Sequence, residues 1–453
     1  MSQRSREPSL EPLVIKFGGT SVGGGAEFVR AARMVADEAL GRPVVVVVSA
    51  MSGTTDTLLG YAGTTAGGDD RTSTGATREG SLAELHRTLA ERHLSAARHA
   101  VSEEHLPPVE ERIYELLGGL LEAIASGGET PEARRARRAE IAVYGERLSA
   151  CILAGAIASA GAPAAVAGDP IATDAAHAEA EVDSGRTRER AAGNVVPLLE
   201  AGEVAVVPGF VGRSPEGGQT TLGRGGSDLS ATALGAALGS REVWICSDVD
   251  GVLDADPALV GGARLVPRLS YREASSMAGL GAKVLHPKTM EPARAAGIEV
   301  TVRSTFNRNC AGTCVCSREP GSGIRGVVLR RGVSLVRESG VPETPVFRML
   351  GSSGYGVDYL LHAGDGEREP AGHAAVVCVG SPGCDELSAG ISVLGKRGIT
   401  VCWAGLCSDG LLFVVDGDDA RSALETLHGS LLGIRSGDGE TADEGSYSVE
   451  GVA

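Results

Sequence analysis

The segment Lys16-Phe17-Gly18-Gly19-Thr20-Ser21 combines a lysine with two adjacent glycines, between an apolar stretch and a stretch with helical spacing. Glycines let backbone N–H groups approach phosphate oxygens, a helix N-terminus favours negative charge, and a lysine adds a full positive charge. The lysine precedes the glycines, so the segment is not a Walker A motif. The pattern predicts a phosphate-binding loop, with a simple tight turn before a helix as the alternative.

A second glycine-rich segment, Thr220 to Asp228, has the sequence Thr-Thr-Leu-Gly-Arg-Gly-Gly-Ser-Asp. The guanidinium of Arg224 has the forked geometry that binds a carboxylate through two hydrogen bonds. Asp228 has the charge needed to orient a lysine within a polar site. The segment therefore indicates a substrate-binding loop, and the alternative is a surface loop in which Asp228 caps the following helix.

Four aspartates lie between Ser247 and Pro257, directly after an apolar stretch. The spacing differs from that of an EF-hand and lacks its closing glutamate. It favours a loop that holds nucleotide hydroxyls or magnesium-bound phosphate, with an acidic surface turn as the alternative. Lys283 is the other lysine within a motif, in a chain with four lysines among 42 basic residues. We interpret it as a second phosphate ligand, although a solvated surface lysine would fit the sequence equally well.

The elements that must position these residues have the pattern of an α/β protein. Apolar runs without alternation are typical of strands buried on both faces, and amphipathic spacing is typical of helices. Strands are predicted at Leu13 to Phe17, Pro43 to Val48, Glu203 to Val207, Glu242 to Cys246 and Glu299 to Val302, and helices at Ala26 to Leu40 and Asp228 to Leu238. The strand, helix, strand order favours a parallel sheet.

Length and composition limit the classes of function. A chain of 453 residues exceeds what one core usually serves, so at least two domains are expected. The net charge of -16 argues against nucleic acid or an anionic membrane as a partner. Scattered cysteines and the absence of a signal-peptide pattern favour the cytoplasm. Cys310, Cys314 and Cys316 lie close together, but no histidine or second cysteine pair follows, so no metal site is predicted there.

Together, these segments resemble the aspartokinase family within the amino-acid kinase superfamily, from Val14 to about Thr313. The resemblance implies an open αβα sandwich on an eight-stranded, mainly parallel sheet. It also implies an enzyme that transfers the γ-phosphoryl group of ATP to the side-chain carboxylate of L-aspartate, with Mg²⁺ as a cofactor. The alternatives are a kinase of the same fold that phosphorylates another amino acid or small carboxylate, and a catalytically silent regulator that binds amino acids.

The resemblance implies three groups of site residues. Those implied to serve phosphoryl transfer are Lys16, Gly18, Gly19, Asp228 and Lys283. Those implied to form the aspartate pocket with Asp228 are Ser49, Thr55, Glu146, Arg224 and Ser227. Those implied to hold the nucleotide are Ser247, Asp248, Asp250, Leu253 and Asp256, together with the phosphate ligands. Leu253 and Ala258 depart from the tyrosine and arginine that are usual in the family, which affects the ATP side of the site.

Past residue 312 the composition changes to short strands and glycine-rich turns. We expect a catalytic domain at 1–312, a shortened first ACT-like module at 313–372, a second at 373–433 and a disordered tail at 434–453. The resemblance of these modules to the ACT modules of aspartokinases implies an amino-acid effector, with Asp358 in the effector-contacting turn. It also implies a homodimer or larger assembly through the modules, and the alternative is that they mediate dimerisation only.

Overall fold

The computed structural model describes residues 11–64, 78–126, 130–282, 285–318, 321–333, 347–349, 359–361 and 372–432. These residues form two units. The first unit contains the described residues of 11–254 and 263–321, and the second contains 255–262, 322–333 and 372–432. Lys283 and Asp358 lie outside the described residues, so the structure gives no position for either predicted site residue.

The first unit is built on an eight-stranded sheet with the order β3-β4-β2-β1-β7-β9-β10-β8. Its strands are β1 (Leu13–Phe17), β2 (Val44–Val48), β3 (Ala164–Val166), β4 (Val204–Pro208), β7 (Glu242–Ser247), β8 (Arg268–Ser270), β9 (Glu299–Ser304) and β10 (Thr313–Cys316). Neighbouring strands from β3 to β9 are parallel, whereas β10 runs antiparallel to β9. A two-stranded hairpin, β5 (Val211–Arg213) and β6 (Gln219–Thr221), follows β4. The predicted mainly parallel sheet is confirmed.

Helices cover both faces of this sheet. They are α1 (Gly25–Ala39), α2 (Thr54–Thr64), α3 (Arg78–Ala100), α4 (Leu106–Ala125), α5 (Pro131–Ala142), α6 (Tyr144–Ser159), α7 (Ser184–Asn194), α8 (Val196–Glu200), α9 (Gly226–Leu238), α10 (Tyr271–Gly279) and α11 (Pro287–Ala296). Alternate strand residues such as Ile15 and Val46 pack in one core with α1, α3, α4 and α6. The residues between them are also buried, and α9 lies against β1, β2 and β7. The result is the predicted αβα sandwich.

The helical stretch Pro131–Ser159 is long and apolar enough to cross a membrane by length and composition alone. It consists of α5 and α6, which meet at Val143. Of its most apolar 18-residue segment, 83% is buried inside the protein. Small residues dominate α6, so neighbouring helices pack closely against it. This burial is typical of a core helix inside a folded domain.

The second unit contains a four-stranded sheet with the order β11-β14-β16-β15 and all neighbouring strands antiparallel. Its strands are β11 (Gly323–Val333), β14 (His373–Ser381), β15 (Val401–Cys407) and β16 (Gly410–Asp416), and its helices are α12 (Cys384–Lys396) and α13 (Ala420–Leu427). Two further short strands, β12 (Phe347–Met349) and β13 (Tyr359–Leu361), form a separate two-stranded sheet.

Two strand pairings lie close to the predicted domain boundaries, which remain a prediction. The first unit continues past residue 312, because β10 completes the eight-stranded sheet between β9 and β8. Strand β11 was assigned to the first ACT-like module, but it pairs with β14 of the second. Composition alone could not give either result, because the partner of a short strand is set by contacts distant in sequence.

A buried histidine in α3 should make the fold sensitive to acid. The side chain of His93 is fully buried, and its Nδ1 lies 2.7 Å from the carbonyl oxygen of Leu89. Burial, with a smaller contribution from the charge of Arg92, lowers the pKa of His93 from 6.5 to about 4. The folded pKa lies below the unfolded one, so this stability is complete above pH 6.5 and is lost as the pH falls toward 4.

We expect His93→Gln to remove up to about 3 kcal/mol of the acid-induced loss in unfolding free energy, which corresponds to the pKa shift. Urea denaturation at pH 7.5 and at pH 4 measures that loss in the parent protein and in the variant. His86→Gln, on a half-exposed position of the same helix, is the matched control. If both variants lost stability in acid as the parent does, His93 would not be the sensitive group.

Candidate active site

A cavity of about 350 Å³ opens in the first unit where β1, β2 and β4 end and α9 begins. The carboxyl ends of parallel strands and the N-terminus of a helix are the usual location of ligand sites in α/β folds. The residues lining it are Lys16, Gly19, Ser49, Ala50, Met51, Ser52, Gly53, Thr55, Asp56, Glu146, Phe210, Gly223, Gly225, Gly226, Ser227 and Asp228. The structure thus brings together residues from segments that are as far apart as β1 and α9.

The basic group of the cavity is Lys16, which lies on β1 and is buried. Its Nζ lies 2.5 Å from Oδ1 of Asp228, in the first turn of α9. The Asp228 carboxylate therefore holds the Lys16 ammonium group beside the Gly18-Gly19 turn. The N-cap of α9 is Gly225, so the alternative in which Asp228 caps this helix is wrong. Its side chain orients Lys16 instead.

Two of the glycines that line the cavity leave no room for a side chain. A Cβ atom on Gly19 would lie 3.0 Å from the carbonyl oxygen of Ala50. Gly225 has φ +71°, and a Cβ there would lie 2.6 Å from the Cβ of His286. The first-turn N–H groups of α9 have no helical acceptors and face an anion favourably. With Lys16, these backbone groups are suited to binding a phosphate.

The most deeply buried acidic residue that lines the cavity is Glu146, near the start of α6. It is buried, and its Oε2 has no hydrogen-bond partner among the described residues. Burial raises the pKa of Glu146 to about 7, while hydrogen bonds from the Ala50 backbone and the Thr55 side chain act in the opposite direction. A buried carboxylate that lines the cavity and has one oxygen without a hydrogen-bond partner among the described residues is suited to binding an ammonium group.

A polar network anchors the elements on either side of Glu146. The carboxylate of Asp169 accepts hydrogen bonds from Arg147 at 3.1 Å and from Arg213 at 2.9 Å. Arg147 also donates to Gln219 at 2.7 Å. The network therefore joins α6, which presents Glu146, to the β5-β6 hairpin that leads into the glycine-rich loop. Its ion pairs are largely sheltered from water, which favours a fixed geometry.

The other residues that were predicted to bind the substrate lie either in the lining of the cavity or next to it. Ser49, Thr55 and Ser227 line the cavity. The side chain of Arg224 is exposed, and it lies between Gly223 and Gly225 at the cavity rim. The sequence analysis missed Phe210, which lines the cavity with a left-handed φ of 68°. A Pro-Gly pair directly before it at the end of β4 was the available signal for an unusual backbone there.

The predicted nucleotide loop divides between the two units. Asp250 accepts a hydrogen bond from Nδ2 of Asn307 at 3.0 Å, and the buried Asp254 accepts one from the backbone of Arg264 at 2.9 Å. Ser247 ends β7, and Asp248 is exposed directly after it. Asp256 belongs to the second unit, where it accepts a hydrogen bond from the backbone of Ala258. Three of the four aspartates, Asp250, Asp254 and Asp256, therefore accept hydrogen bonds from the loop or from neighbouring segments.

The cavity also has oxygen donors suited to Mg²⁺. Asp228 supplies a carboxylate that already pairs with Lys16, and Ser49, Thr55 and Ser227 supply hydroxyl groups. This donor set is not a cage of carboxylates. It fits a magnesium ion that keeps phosphate oxygens and water as most of its ligands, which is how this metal is usually bound beside nucleotides.

The fold and this cavity define a protein of the amino acid kinase class, and residues 11–304 match the model of the Amino acid kinase family. The chain is 33% identical to an aspartokinase of Corynebacterium efficiens over 370 residues, which cover 77% of this chain and 70% of that protein. The chain belongs to the aspartokinase family.

Two further similarities agree with this assignment. An aspartokinase of Thermus thermophilus is 39% identical over 201 residues, which cover 42% of this chain and 47% of that protein. The matched region thus spans about half the length of that relative. The fold is also similar to a crystal structure of Escherichia coli aspartokinase III in complex with aspartate and ADP. That match has a TM-score of 0.70 and 26% identity, and it covers 93% of this chain and 100% of that chain.

Proposed function

We propose that this protein is an aspartate kinase, which transfers the γ-phosphoryl group of ATP to the side-chain carboxylate of L-aspartate. The observation that carries the proposal is the opposition of two groups in one cavity: Lys16 held by Asp228 at the N-terminus of α9, and the buried carboxylate of Glu146. The first suits a phosphate, and the second suits the ammonium group of an amino acid. The E. coli structure with a similar fold contains aspartate and ADP, which supports the same pair of substrates.

The chemistry requires positioning more than acid-base catalysis. A carboxylate is already nucleophilic at neutral pH, so an oxygen of the aspartate side chain can attack the γ-phosphorus directly. A new P–O bond forms to the carboxylate, the P–O bond to ADP breaks, and ADP leaves with the electron pair. The product is an acyl phosphate, 4-phospho-L-aspartate. Bound magnesium would neutralise charge on the β- and γ-phosphates.

Each side chain has a defined task in this proposal. Lys16 stabilises charge on the transferring phosphoryl group, and Asp228 holds its ammonium in place. Glu146 binds the substrate ammonium, and Arg224 binds its α-carboxylate as a fork. Ser49, Thr55 and Ser227 complete the pocket through hydrogen bonds. Lys283 is proposed as a second phosphoryl ligand, as its motif indicates.

Trapping the product with hydroxylamine tests the proposal, because acyl phosphates form hydroxamates. The purified protein with ATP, magnesium and a panel of amino acids and small carboxylates should form hydroxamate fastest with L-aspartate. Faster turnover of another carboxylate would favour the same-fold kinase with a different substrate. Binding of aspartate without turnover of any acceptor would favour the silent regulator.

Arg224→Lys should raise the KM for aspartate about tenfold or more and change the KM for ATP little. A lysine keeps the charge but lacks the planar fork that binds both oxygens of a carboxylate. Steady-state kinetics with each substrate varied in turn separate the two constants. Arg186→Lys, on α7, is the matched control for replacing an arginine elsewhere in the same unit. A change confined to the KM for ATP would place Arg224 in the nucleotide site.

We also propose that the second unit binds an amino-acid effector and mediates self-association. Its antiparallel sheet with α12 and α13 has the arrangement expected of an ACT-like module. Asp358, in the segment predicted as the first ACT-like module, remains the proposed effector contact. Isothermal titration with individual amino acids would measure effector binding, and light scattering would measure the oligomeric state.

A further inference from the structure

Three potential metal ligands meet on β9 and β10, next to the edge strand β8 of the eight-stranded sheet and apart from the proposed kinase cavity. They are Glu299 on β9 and Cys314 and Cys316 on β10, and their ligand atoms all lie within 4.8 Å of one another. We propose that this cluster is a binding site for a thiophilic divalent cation such as Zn²⁺. The proposal does not depend on the kinase function.

The antiparallel register of β9 and β10 creates the cluster. It pairs Cys314 with Thr301 and Val315 with Val300, which brings Cys316 opposite Glu299. Cys314 and Cys316 are two residues apart on one strand, so their side chains point to the same face. Directly opposed residues on neighbouring strands also share a face. All three ligands therefore converge on one side of the sheet.

The donor set fits zinc better than a hard cation. Thiolates select soft or borderline metals, whereas magnesium and calcium prefer sites made only of oxygen. In a tetrahedral zinc site the Zn–S distance is about 2.3 Å and the Zn–O distance is about 2.0 to 2.2 Å, so the ligand atoms lie roughly 3.5 to 4 Å apart. Glu299 is exposed, so a change in its side-chain rotamer can close the remaining distance, while Cys316 is buried. Water would occupy the fourth position.

Neighbouring groups support the site. Two thiolates, one carboxylate and a divalent cation leave a single negative charge. Arg268 on β8 pairs in register with Cys314, and its positive charge acts on that thiol. The hydroxyl of Tyr271 donates to the backbone carbonyl of Ile298, the residue before Glu299. Groups behind the ligands that fix their orientation are a regular feature of metal sites in proteins.

A metal at this position would cross-link β9 to β10, the strand whose direction reverses within the sheet. A ligand that binds only the folded state stabilises that state. The sequence analysis excluded a metal site because no histidine or second cysteine pair lies nearby. A glutamate on the preceding strand supplies the third ligand, and only the strand register shows that it is close.

Cobalt titration of the full-length protein tests the site, because cobalt replaces zinc and thiolate-bound cobalt has a charge-transfer absorption. After treatment with a chelator, we expect one equivalent of Co²⁺ to produce this absorption and one equivalent of Zn²⁺ to remove it. Cys314→Ser and Cys316→Ser should each abolish the absorption. Glu299→Gln should weaken binding about tenfold or more, as is common when metal-site geometry is disturbed.

Cys310→Ser is the matched control, because Cys310 lies near in sequence but its thiol faces the backbone oxygen of Asp250. It should bind cobalt as the parent does. Thermal unfolding of every variant in chelator shows whether it is folded, and Cys314→Ser and Glu299→Gln alter less buried positions than Cys316→Ser does. The proposal is overturned if the parent shows no thiolate absorption, or if the absorption survives in folded Cys314→Ser and Glu299→Gln proteins at the parental affinity.

Discussion

Replacing Lys16 with alanine should lower kcat by about two to three decades while the protein stays folded. Loss of one preorganised donor to a developing negative charge costs about 3 to 4 kcal/mol. Lys16 is such a donor, because it is buried and Asp228 holds its ammonium at 2.5 Å. The structure adds a second consequence: without the lysine, Asp228 would place an unbalanced negative charge beside the phosphate position, which repels the nucleotide.

The hydroxamate assay with saturating ATP and aspartate measures kcat for the variant, and thermal unfolding measures its stability. Lys396→Ala is a suitable control because this lysine is exposed at the end of α12, in the second unit. The double variant Lys16→Met, Asp228→Asn separates the two effects. It removes both charges, so the nucleotide should bind it better than it binds Lys16→Ala, while turnover stays low. Near-normal turnover in Lys16→Ala would exclude the phosphoryl role.

The contact between Lys16 and Asp228 shows what the sequence could predict. Each residue lies in a glycine-rich segment at the junction of a strand and a helix, and such junctions meet at one edge of a parallel sheet. The uninterrupted valine run of β2 and the apolar run of β1 identify two buried strands of the parallel sheet. The residues that follow these two strands therefore lie at that edge. The phosphate side of the site therefore follows from local pattern and the rules of parallel topology.

Other parts of the site depend on contacts that no local pattern contains. A glutamate early in a helix is usually solvated, and only the packing of α6 against the β2-α2 loop shows that Glu146 is buried. The left-handed backbone of Phe210 is rare for an aromatic residue and is fixed by its surroundings, including a hydrogen bond from its N–H to Ser230. The reversed direction of β10 likewise depends on pairing at both of its edges.

The burial of Glu146 leads to the second large effect, which is a pH-dependent affinity for aspartate. In the free protein, burial raises the pKa of this carboxyl to about 7. The substrate ammonium binds the ionised form, because a neutral carboxyl offers no charge to a buried cation. The ionised fraction of a group with this pKa rises about tenfold between pH 6 and pH 8, so the KM for aspartate should fall by about that factor.

Glu146→Gln should abolish this pH dependence and raise the KM at pH 8 about a hundredfold or more. The glutamine keeps the shape of the side chain but leaves the substrate ammonium buried without its counter-charge, and losing one partner of a buried ion pair costs about 3 kcal/mol or more. Aspartate itself keeps the same charges between pH 6 and pH 8, so the change is assigned to the protein. Changes in the protonation of ATP between pH 6 and pH 8 affect the parent protein and the Glu146→Gln protein equally. They therefore cancel when the two pH profiles are compared.

Asp56→Asn is the matched control, because Asp56 also lines the cavity but is exposed to solvent. It should retain the tenfold decrease in KM from pH 6 to pH 8, because Glu146 is unchanged in this variant. Measuring KM for aspartate at five pH values with saturating ATP gives the complete profile for each protein. A Glu146→Gln protein that kept the parental slope would show that another group controls binding, and the assignment of Glu146 to the substrate ammonium would then be wrong.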